Sequence, residues 1–231
     1  EYLDEKIVTG YVRKFQDYYR GGIADKKRIV LVVGGGNVSR RYRNMADMCG
    51  ENDDVDRHRI GMTATWLNAE LFRSLLDDIA FKRVMGVGVY AENQKEAEKL
   101  MAKDFESWLA SDTPMLMTGG FINGASTDFN AVLVSSKIGA ERFYKLSNIN
   151  HVYTKDPREN PSAEPIERLS WDEYFRLFDV SLDNLEHAPG AHAPVDMLAA
   201  KLAKENGISC FLRDGRDPEV LDDVVKGDDS S

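Results

Sequence analysis

The sequence predicts an α/β fold, an open and mainly parallel β-sheet with helices covering both faces. Short apolar or β-branched runs alternate along the chain with longer segments of helical periodicity. Helices between successive strands are typical of crossover connections, and these make the strands parallel. With 231 residues, 42% of them apolar, the chain can bury one substantial core, and we expect a single domain over residues 1–231.

The first half of the chain shows this alternation clearly. Apolar groups recur at helical spacing from Tyr11 to Tyr19, and Ile29–Val33 is a β-branched run typical of a buried parallel strand. A helix-compatible segment follows the glycines after this strand. The pattern then predicts a helix at Thr65–Ile79, a strand at Arg83–Tyr90, a helix at Gln94–Leu109 and a strand at Met115–Met117.

The second half continues in the same way. A helix is predicted at Asp128–Ile138 and a strand at Arg142–Leu146. Further on, a capping box of Ser170 and Glu173 predicts the start of a helix that ends near Phe178. Pro194 stands at a first helical position, and Gly207 marks the end of that helix. A last strand is predicted at Ile208–Leu212. We expect the acidic end, residues 222–231, to be flexible.

Composition excludes several classes of function. A net charge of −9 and a pI near 5.0 argue against general nucleic-acid binding, which needs an extended basic face. No apolar run is long enough to span a membrane. Cys49 and Cys210 are far apart and show no metal-ligand spacing. We therefore expect a cytoplasmic protein that acts on small molecules.

The glycines Gly34–Gly36 form the most informative turn, because they follow a strand and precede a helix. Glycine lets backbone amides approach a ligand closely, and amides at a helix start favour anions. Three cations, Arg40, Arg41 and Arg43, lie in the first turns after the glycines, where they oppose the helix dipole. The alternative is a tight turn without a ligand. The arginines favour a phosphate site.

A second glycine-rich loop runs from Gly119 to Asp128. Ser126 or Thr127 could simply cap the next helix, with Asp128 favouring its dipole. The same amides and hydroxyls could hold the phosphate of an acceptor, and both interpretations can be true together. Because ligands lie beyond the carboxyl ends of parallel strands, we expect the segments 34–36, 118–128 and 147–156 to share one crevice.

The third segment, Ser147–Pro157, resembles the signature of the amino acid kinase family and, within it, of the UMP kinases. Three further segments are similar to motifs of that family in the same order: Gly34–Arg40, Gly119–Asp128 and Val195–Lys201. Each motif alone is weak, but the ordered set is specific and covers most of the chain. The resemblance implies a three-layer α/β/α architecture and a homo-oligomer, often a hexamer.

The resemblance also implies transfer of a phosphoryl group from Mg-ATP to UMP, giving UDP. The residues implied for the acceptor are Gly35, His58, Phe121, Ile122, Asn123, Gly124, Ala125, Ser126 and Thr127. Those implied for ATP are Gly36, Arg40, Lys145, Ser147, Asn148, Tyr153 and Asp156. Arg40, Asp128 and Asp196 match positions near the reacting phosphates. Mg²⁺ would be held mainly by phosphates and water, so no dedicated metal-ligand set is expected.

The chain departs from the family pattern at three places. The family's first strand, with its phosphate-binding turn, has no counterpart, and we expect it upstream of Glu1. His58 stands where an Asp normally accepts hydrogen bonds from the ribose, unless Asp56 substitutes after a shift of two residues. Asn150-His151 replaces Asp-Gly. A metal pair of His187 and His192 is a weaker alternative, since no helix sets their spacing.

Two other functions stay open at this stage. A kinase of the same fold could act on another small phosphate or carboxylate. A nucleotide-binding or oxyanion-storing homologue could have kept the fold and lost turnover.

Overall fold

The computed structural model describes residues 4–21, 27–50, 53–182, 185 and 193–226. They belong to two compact units, Glu1–Asn130 and Ala131–Ser231, and the boundary falls within one helix. The α/β fold class is confirmed, because helices alternate with strands and the two longer strand pairs are parallel.

The first unit has a parallel strand pair at its centre. Its elements are α1 (Glu5–Arg20), β1 (Ile29–Val32), α2 (Gly36–Cys49), α3 (Asp54–Leu75), α4 (Gln94–Leu109), β2 (Met115–Thr118) and the start of α5 (Thr127–Ile138). Strand β1 pairs with β2 from Ile29 opposite Met115 to Val32 opposite Thr118. All of β2 is buried, whereas β1 is half-buried. Both strands end at the glycine-rich segments, which places these segments at one edge of the pair.

Helix α1 packs through one face. Tyr11, Phe15 and Tyr19 are buried along it, and the Tyr19 hydroxyl donates to the Lys27 carbonyl at 2.8 Å. Burial raises the pKa of the Tyr19 hydroxyl above its usual value. The predicted helical periodicity of this segment is confirmed.

Helix α4 has the bounds that the sequence predicts, and a side-chain cap explains its start. The Asn93 side-chain oxygen accepts a hydrogen bond from the Glu96 amide at 3.0 Å. We expect Asn93→Ala to lower the free energy of unfolding by about 1 kcal/mol, because this first-turn amide loses its partner. Urea unfolding measures the change. Asn93→Asp keeps an acceptor and should match the wild type; equal losses in both variants would contradict the capping role.

The predicted strand at Arg83–Tyr90 is wrong. One isolated parallel bridge, from Met85 to Thr118, stands there instead, and two more flank the segment, from Ala80 to Met115 and from Ala91 to Ile122. Gly86 and Gly88 have φ angles of +80° and +78°, which are incompatible with an extended strand. A turn therefore interrupts the apolar run, and the segment touches β2 and the following loop only at intervals.

The second unit contains the rest of α5, β3 (Arg142–Ser147), β4 (Val152–Tyr153), β5 (Pro165–Ile166), α6 (Trp171–Leu177), α7 (Met197–Glu205), β6 (Ser209–Asp214) and α8 (Val220–Lys226). Strand β3 runs parallel to β6, with Arg142 opposite Ser209 and Ser147 opposite Asp214. Strands β4 and β5 form a short antiparallel pair. Neither β4 nor β5 was predicted from the sequence, because two residues carry no periodicity.

Two capping signals predicted from the sequence match helix ends in this unit. The capping box of Ser170 and Glu173 is confirmed at the start of α6. Two hydrogen bonds from Ser170, one from its amide and one from its hydroxyl, lower the pKa of Glu173. The stop at Gly207 is also confirmed, since its φ is +65° and the Ile208 amide donates to the Ala203 carbonyl at 2.8 Å.

The start of α7 differs from the expectation, whereas the flexibility of the acidic end stays a prediction. Pro194 is not the first residue of a helix, because Asp196 takes the N-cap of α7 and its side chain accepts from the Ala199 amide at 3.0 Å. The acidic end is helical as far as Lys226, since Val220–Lys226 forms α8. The remainder of the predicted flexible tail, residues 227–231, lies outside the described residues. Among the described helices, none has the length and apolarity to cross a membrane.

Candidate functional site

The glycine turn between β1 and α2 presents backbone amides at a helix start. Gly35 is the N-cap of α2, with no side-chain cap, and the first turn has no acidic residue. Gly36 has a φ of +54°, and a Cβ built on it would meet nothing within 4 Å. The position beside Gly36, at the start of this 14-residue helix, therefore borders open space, which leaves room for an anion.

Close packing fixes the turn from behind. The Asn68 side-chain amide, on the buried face of α3, donates to the Gly34 carbonyl at 2.8 Å. A Cβ on Gly35 would lie 2.5 Å from the Ser39 Cβ, so only glycine fits there. The backbone path is thus set by contacts and does not depend on a ligand. Asn68 belongs to none of the sequence motifs, and only its place on α3 reveals its role.

The three arginines after the turn take different positions. Arg40 is exposed, and both its Nε, at 3.0 Å, and its Nη2 donate to the Asn37 side-chain oxygen. Arg41 is exposed, and Arg43 is half-buried beside Gly61, where α2 packs on α3. Arg40 is therefore the arginine that a first-turn side chain holds near the uncapped amides.

The second glycine-rich loop begins against α3. The Trp66 indole donates to the Gly120 carbonyl at 2.7 Å, and the Gly120 amide donates to the Thr65 hydroxyl at 2.7 Å. A Cβ on Gly119 would lie 2.8 Å from Trp66 Cδ1, so the backbone approaches the helix too closely for any side chain. Glycine at these positions serves packing on α3.

The middle of this loop faces the core. Phe121 and Ile122 are 1% and 5% exposed, so only their backbone can contact a ligand. Their carbonyls accept from the amides of Ala91 and Ala125 at 3.1 and 3.2 Å. The predicted acceptor residues that follow, Asn123 to Thr127, are half-buried.

At the end of the loop, the Ser126 hydroxyl accepts from the Phe129 amide at 3.1 Å, so Ser126 rather than Thr127 caps α5. Asp128 is half-buried in the first turn of that helix.

His58 lies beside this loop. A Cβ on Gly124 would be 3.6 Å from His58 Cε1 and 3.9 Å from Nδ1. Asp56 is exposed on α3, where its carboxylate lies 3.8 Å from Arg59 Nη1. Residues two apart on a helix point about 200° apart. Of these two residues, His58 and not Asp56 is therefore in contact range of the acceptor loop.

The two glycine-rich segments of the first unit come together. A Cβ on Gly34 would lie 3.6 Å from the Thr127 hydroxyl oxygen, and the Val33 amide donates to the Thr118 carbonyl at 2.8 Å. The expected proximity of these two segments is confirmed, and a shared crevice stays a prediction. Residues 147–156 belong to the second unit, and their share in one crevice stays a prediction.

In the second unit, the third motif begins where β3 ends. Lys145 is half-buried on β3, and Asn148 is exposed just beyond it. The Ser147 hydroxyl accepts from the Ile149 amide at 3.2 Å, and the Ser147 carbonyl accepts from the Gly215 amide at 2.7 Å. A Cβ on Gly215 would lie 2.9 Å from the Leu146 Cβ. The segment after β6 therefore packs closely on the start of this motif.

Arginine side chains bind the two carboxylates that lie near the ends of β4 and β6. Arg158 binds Asp156 through Nε at 3.0 Å and Nη2 at 2.6 Å, and these hydrogen bonds raise the pKa of the guanidinium. Arg216 binds Asp214 in the same way, which lowers the pKa of that carboxyl. Arg158, Asp214 and Arg216 belong to none of the predicted sites; the Asp-x-Arg spacing in both segments is the signal that could have found them.

Asn150 and His151, which replace the family's Asp-Gly, follow Ser147 into β4. The His151 ring lies 6.4 Å from that of Tyr153, edge to face. Asn150 and His151 also line a cavity of about 500 Å³ with Trp171, Tyr174 and Arg213. Among the described residues, none of the five predicted ATP residues of this unit lines that cavity, so the two do not coincide.

Asp196, the predicted carboxylate of the fourth motif, is half-buried at the N-cap of α7. His187 and His192, the alternative metal pair, lie outside the described residues. Within the described ranges, no three His, Cys, Asp or Glu side chains form a metal-binding group.

Comparisons with known proteins support the family resemblance of the four motifs. The model of the amino acid kinase family matches residues 4–214. A uridylate kinase from Pyrobaculum arsenaticum is 34% identical over 201 residues, covering 87% of this chain and 82% of the relative. A uridylate kinase from Natronomonas pharaonis is 31% identical over 98% of this chain and 91% of its own length.

Solved structures agree as well. The crystal structure of uridylate kinase from Archaeoglobus fulgidus superposes with a TM-score of 0.72 and 26% identity, covering 98% of this chain and 91% of that one. The UMP kinase from Ureaplasma parvum, 19% identical with a TM-score of 0.66 and covering 98% and 90% of the two chains, shares the fold. The resemblance of the four motifs to the amino acid kinase family is confirmed, and this chain belongs to that family.

Proposed function

We propose that this chain is a UMP kinase, which transfers the γ-phosphoryl group of ATP to UMP and forms ADP and UDP. The observation that carries the proposal is the meeting of the uncapped glycine turn with the second glycine-rich loop at Thr127. The uncapped start of α2 and a hydroxyl lie close together there, which suits phosphate binding. Uridylate kinases that align with nearly the whole chain support UMP as the acceptor.

The acceptor side of the proposal lies in the first unit. Gly35 and the segment from Phe121 to Thr127 would hold UMP, with Phe121 and Ile122 contributing backbone only because their side chains are buried. His58 would face the ribose, since it lies in contact range of Gly124.

The donor residues are assigned by their motifs in each unit separately. Gly36 and Arg40 would contact the ATP phosphates at the start of α2, where the space beside Gly36 is open. Lys145, Ser147, Asn148, Tyr153 and Asp156 would bind the rest of ATP. Arg158 is paired with the Asp156 carboxylate. The pair therefore offers a carboxylate oxygen that can accept from a ribose hydroxyl and a guanidinium that can bind a phosphate.

The chemistry needs positioning and charge neutralisation more than a protein nucleophile. The α2 amides and Arg40 would stabilise negative charge that spreads over the transferred group. Asp128 and Asp196 are the carboxylates that we assign to the reacting phosphates. Mg²⁺, held mainly by phosphate oxygens, would neutralise the same charge, and one or two carboxylates suffice for it.

The proposal includes a homohexameric, cytoplasmic enzyme. Family resemblance supports the oligomer. Two free cysteines far apart in sequence support a reducing compartment.

The proposal is tested by incubating the full chain with Mg-ATP and each of UMP, CMP, AMP and small carboxylates. Products are separated by ion-exchange chromatography. Formation of UDP with the highest kcat/KM for UMP is expected. A higher kcat/KM for another acceptor would replace UMP, and ATP binding in calorimetry without any product would identify a nucleotide-binding homologue without turnover.

His58 gives a prediction for the acceptor ribose. A carboxylate can accept from two ribose hydroxyls, whereas neutral imidazole has one acceptor nitrogen. We expect His58→Asp to increase the ratio of kcat/KM for UMP to kcat/KM for dUMP several-fold. This is about the contribution of one additional hydrogen bond to the ribose. Steady-state kinetics with both acceptors measures the ratio. Asp56→Asn, on the far side of α3, is the control and should leave it unchanged; an unchanged ratio in His58→Asp would contradict the contact.

A further inference from the structure

An aromatic ring outside all four motifs lies close to the acceptor side. Tyr90 is half-buried, and its ring centroid is 5.2 Å from that of Trp66, at an interplanar angle of 62°. The guanidinium carbon of Arg59 lies 5.3 Å from the Tyr90 centroid. We call Arg59, Trp66 and Tyr90 the Tyr90 cluster.

The cluster continues the face of α3 that carries the acceptor loop. Arg59, Met62 and Trp66 are spaced by three and four residues, so they share one face of the helix. A Cβ on Gly120 would lie 3.1 Å from Met62 Cγ, and Trp66 donates to the Gly120 carbonyl at 2.7 Å. Arg59 therefore extends this face towards the helix start, one residue after His58.

The segment that follows Tyr90 is tied to the same loop. The Ala91 amide donates to the Phe121 carbonyl at 3.1 Å, and the Asn123 amide donates to the Ala91 carbonyl at 2.8 Å. The Asn123 side chain donates to Glu92 at 2.6 Å. Tyr90 is thus fixed on both sides, by Trp66 on α3 and by its neighbours on the loop.

This arrangement suits a planar group. An aromatic ring or an arginine plane next to it offers a surface on which a nucleobase can stack. Arg59 is half-exposed, with its side chain 49% accessible. Phe121 and Ile122, the apolar side chains that the acceptor motif itself provides, are buried and cannot serve this purpose.

We propose that Tyr90 and Arg59 form the surface on which the nucleobase of the acceptor stacks, so that they determine the preference for an acceptor with a base. The inference rests on the proposed function, since it requires a nucleoside monophosphate in the acceptor site. Trp66 is a positioning residue that supports the Tyr90 ring.

The test compares Tyr90→Leu with Tyr90→Phe. Loss of base stacking should raise KM for UMP roughly tenfold in Tyr90→Leu, while Tyr90→Phe keeps the wild-type value. KM for ATP should stay unchanged in both. The inhibition constant of ribose 5-phosphate, which lacks a base, should also stay unchanged. Tyr18→Leu is the matched control, because Tyr18 is half-buried and its ring lies 4.8 Å from that of Tyr19 on α1.

A second variant keeps the test decisive if Tyr90→Leu does not fold. Arg59→Gln should raise KM for UMP several-fold, and Arg20→Gln, an exposed arginine paired with Asp78, is its control. Unchanged KM for UMP in the folded variants would overturn the inference, as would an equal weakening of ribose 5-phosphate. Absence of UMP turnover in the wild type would instead refute the proposed function, and the inference with it.

Discussion

Arg40→Gln is expected to lower kcat/KM for UMP phosphorylation roughly 100-fold or more, the scale of losing one aligned charge donor from a transition state. The side chain is exposed, yet its Nε and Nη2 both bind Asn37, which fixes the guanidinium at the start of α2. Glutamine keeps a similar length but removes the charge. The loss should fall mainly on kcat, because negative charge spreads over the transferred group in the transition state.

Arg41→Gln is the matched control, because Arg41 is an exposed arginine on the same helix and points about 100° away from Arg40. Its kinetics should stay within about twofold of the wild type. Initial rates with varied ATP and varied UMP separate kcat from the two KM values. Similar losses in both variants would show that general positive charge on α2, and not Arg40 itself, supports the reaction.

The parts of the fold that could be predicted are those with strong local signals. Met115–Met117 is a continuous apolar run close to a glycine-rich segment, and α4 has both a clear helical period and Asn93 as its cap. The apolar run at 83–90 carries the same kind of signal, but its two glycines adopt positive φ. Sequence alone does not show which glycine conformations packing will select. Here Gly86 turns the chain against Phe121, whose Cβ would lie 3.2 Å from a Cβ at that position.

The candidate site likewise has features that local motifs reveal and features that only tertiary packing reveals. Motif order located the glycine turn, the acceptor loop and the third motif, because each depends on local backbone geometry. The choice between His58 and Asp56 needed the helix, which turns one towards Gly124 and the other towards solvent. Tyr90 and Asn68 could not be found by pattern, since each acts through contacts with segments more than 20 residues away. Tertiary packing alone brings such pairs together.

Gly35→Ala is expected to abolish most activity and to lower the free energy of unfolding by about 1 to 3 kcal/mol, the range for overpacking a tight contact. The new Cβ would lie 2.5 Å from the Ser39 Cβ and 3.1 Å from its Oγ. Ser39 is buried one turn into α2, so relief requires the first turn to move. That movement displaces the amides which the proposed function assigns to phosphate. Urea unfolding and UDP formation measure the two effects separately.

A compensating change makes this prediction specific. Ser39→Gly removes the Cβ that Gly35→Ala would strike, so the double variant should recover much of the lost kcat/KM even though a second glycine weakens α2 by about 1 kcal/mol. Gly50→Ala, at the other end of α2, is the control, because a Cβ there would meet nothing within 4 Å. If Gly35→Ala kept normal kinetics, the glycine turn would not be the phosphate site. If the double variant stayed as inactive as Gly35→Ala, the defect would not arise from the contact with Ser39.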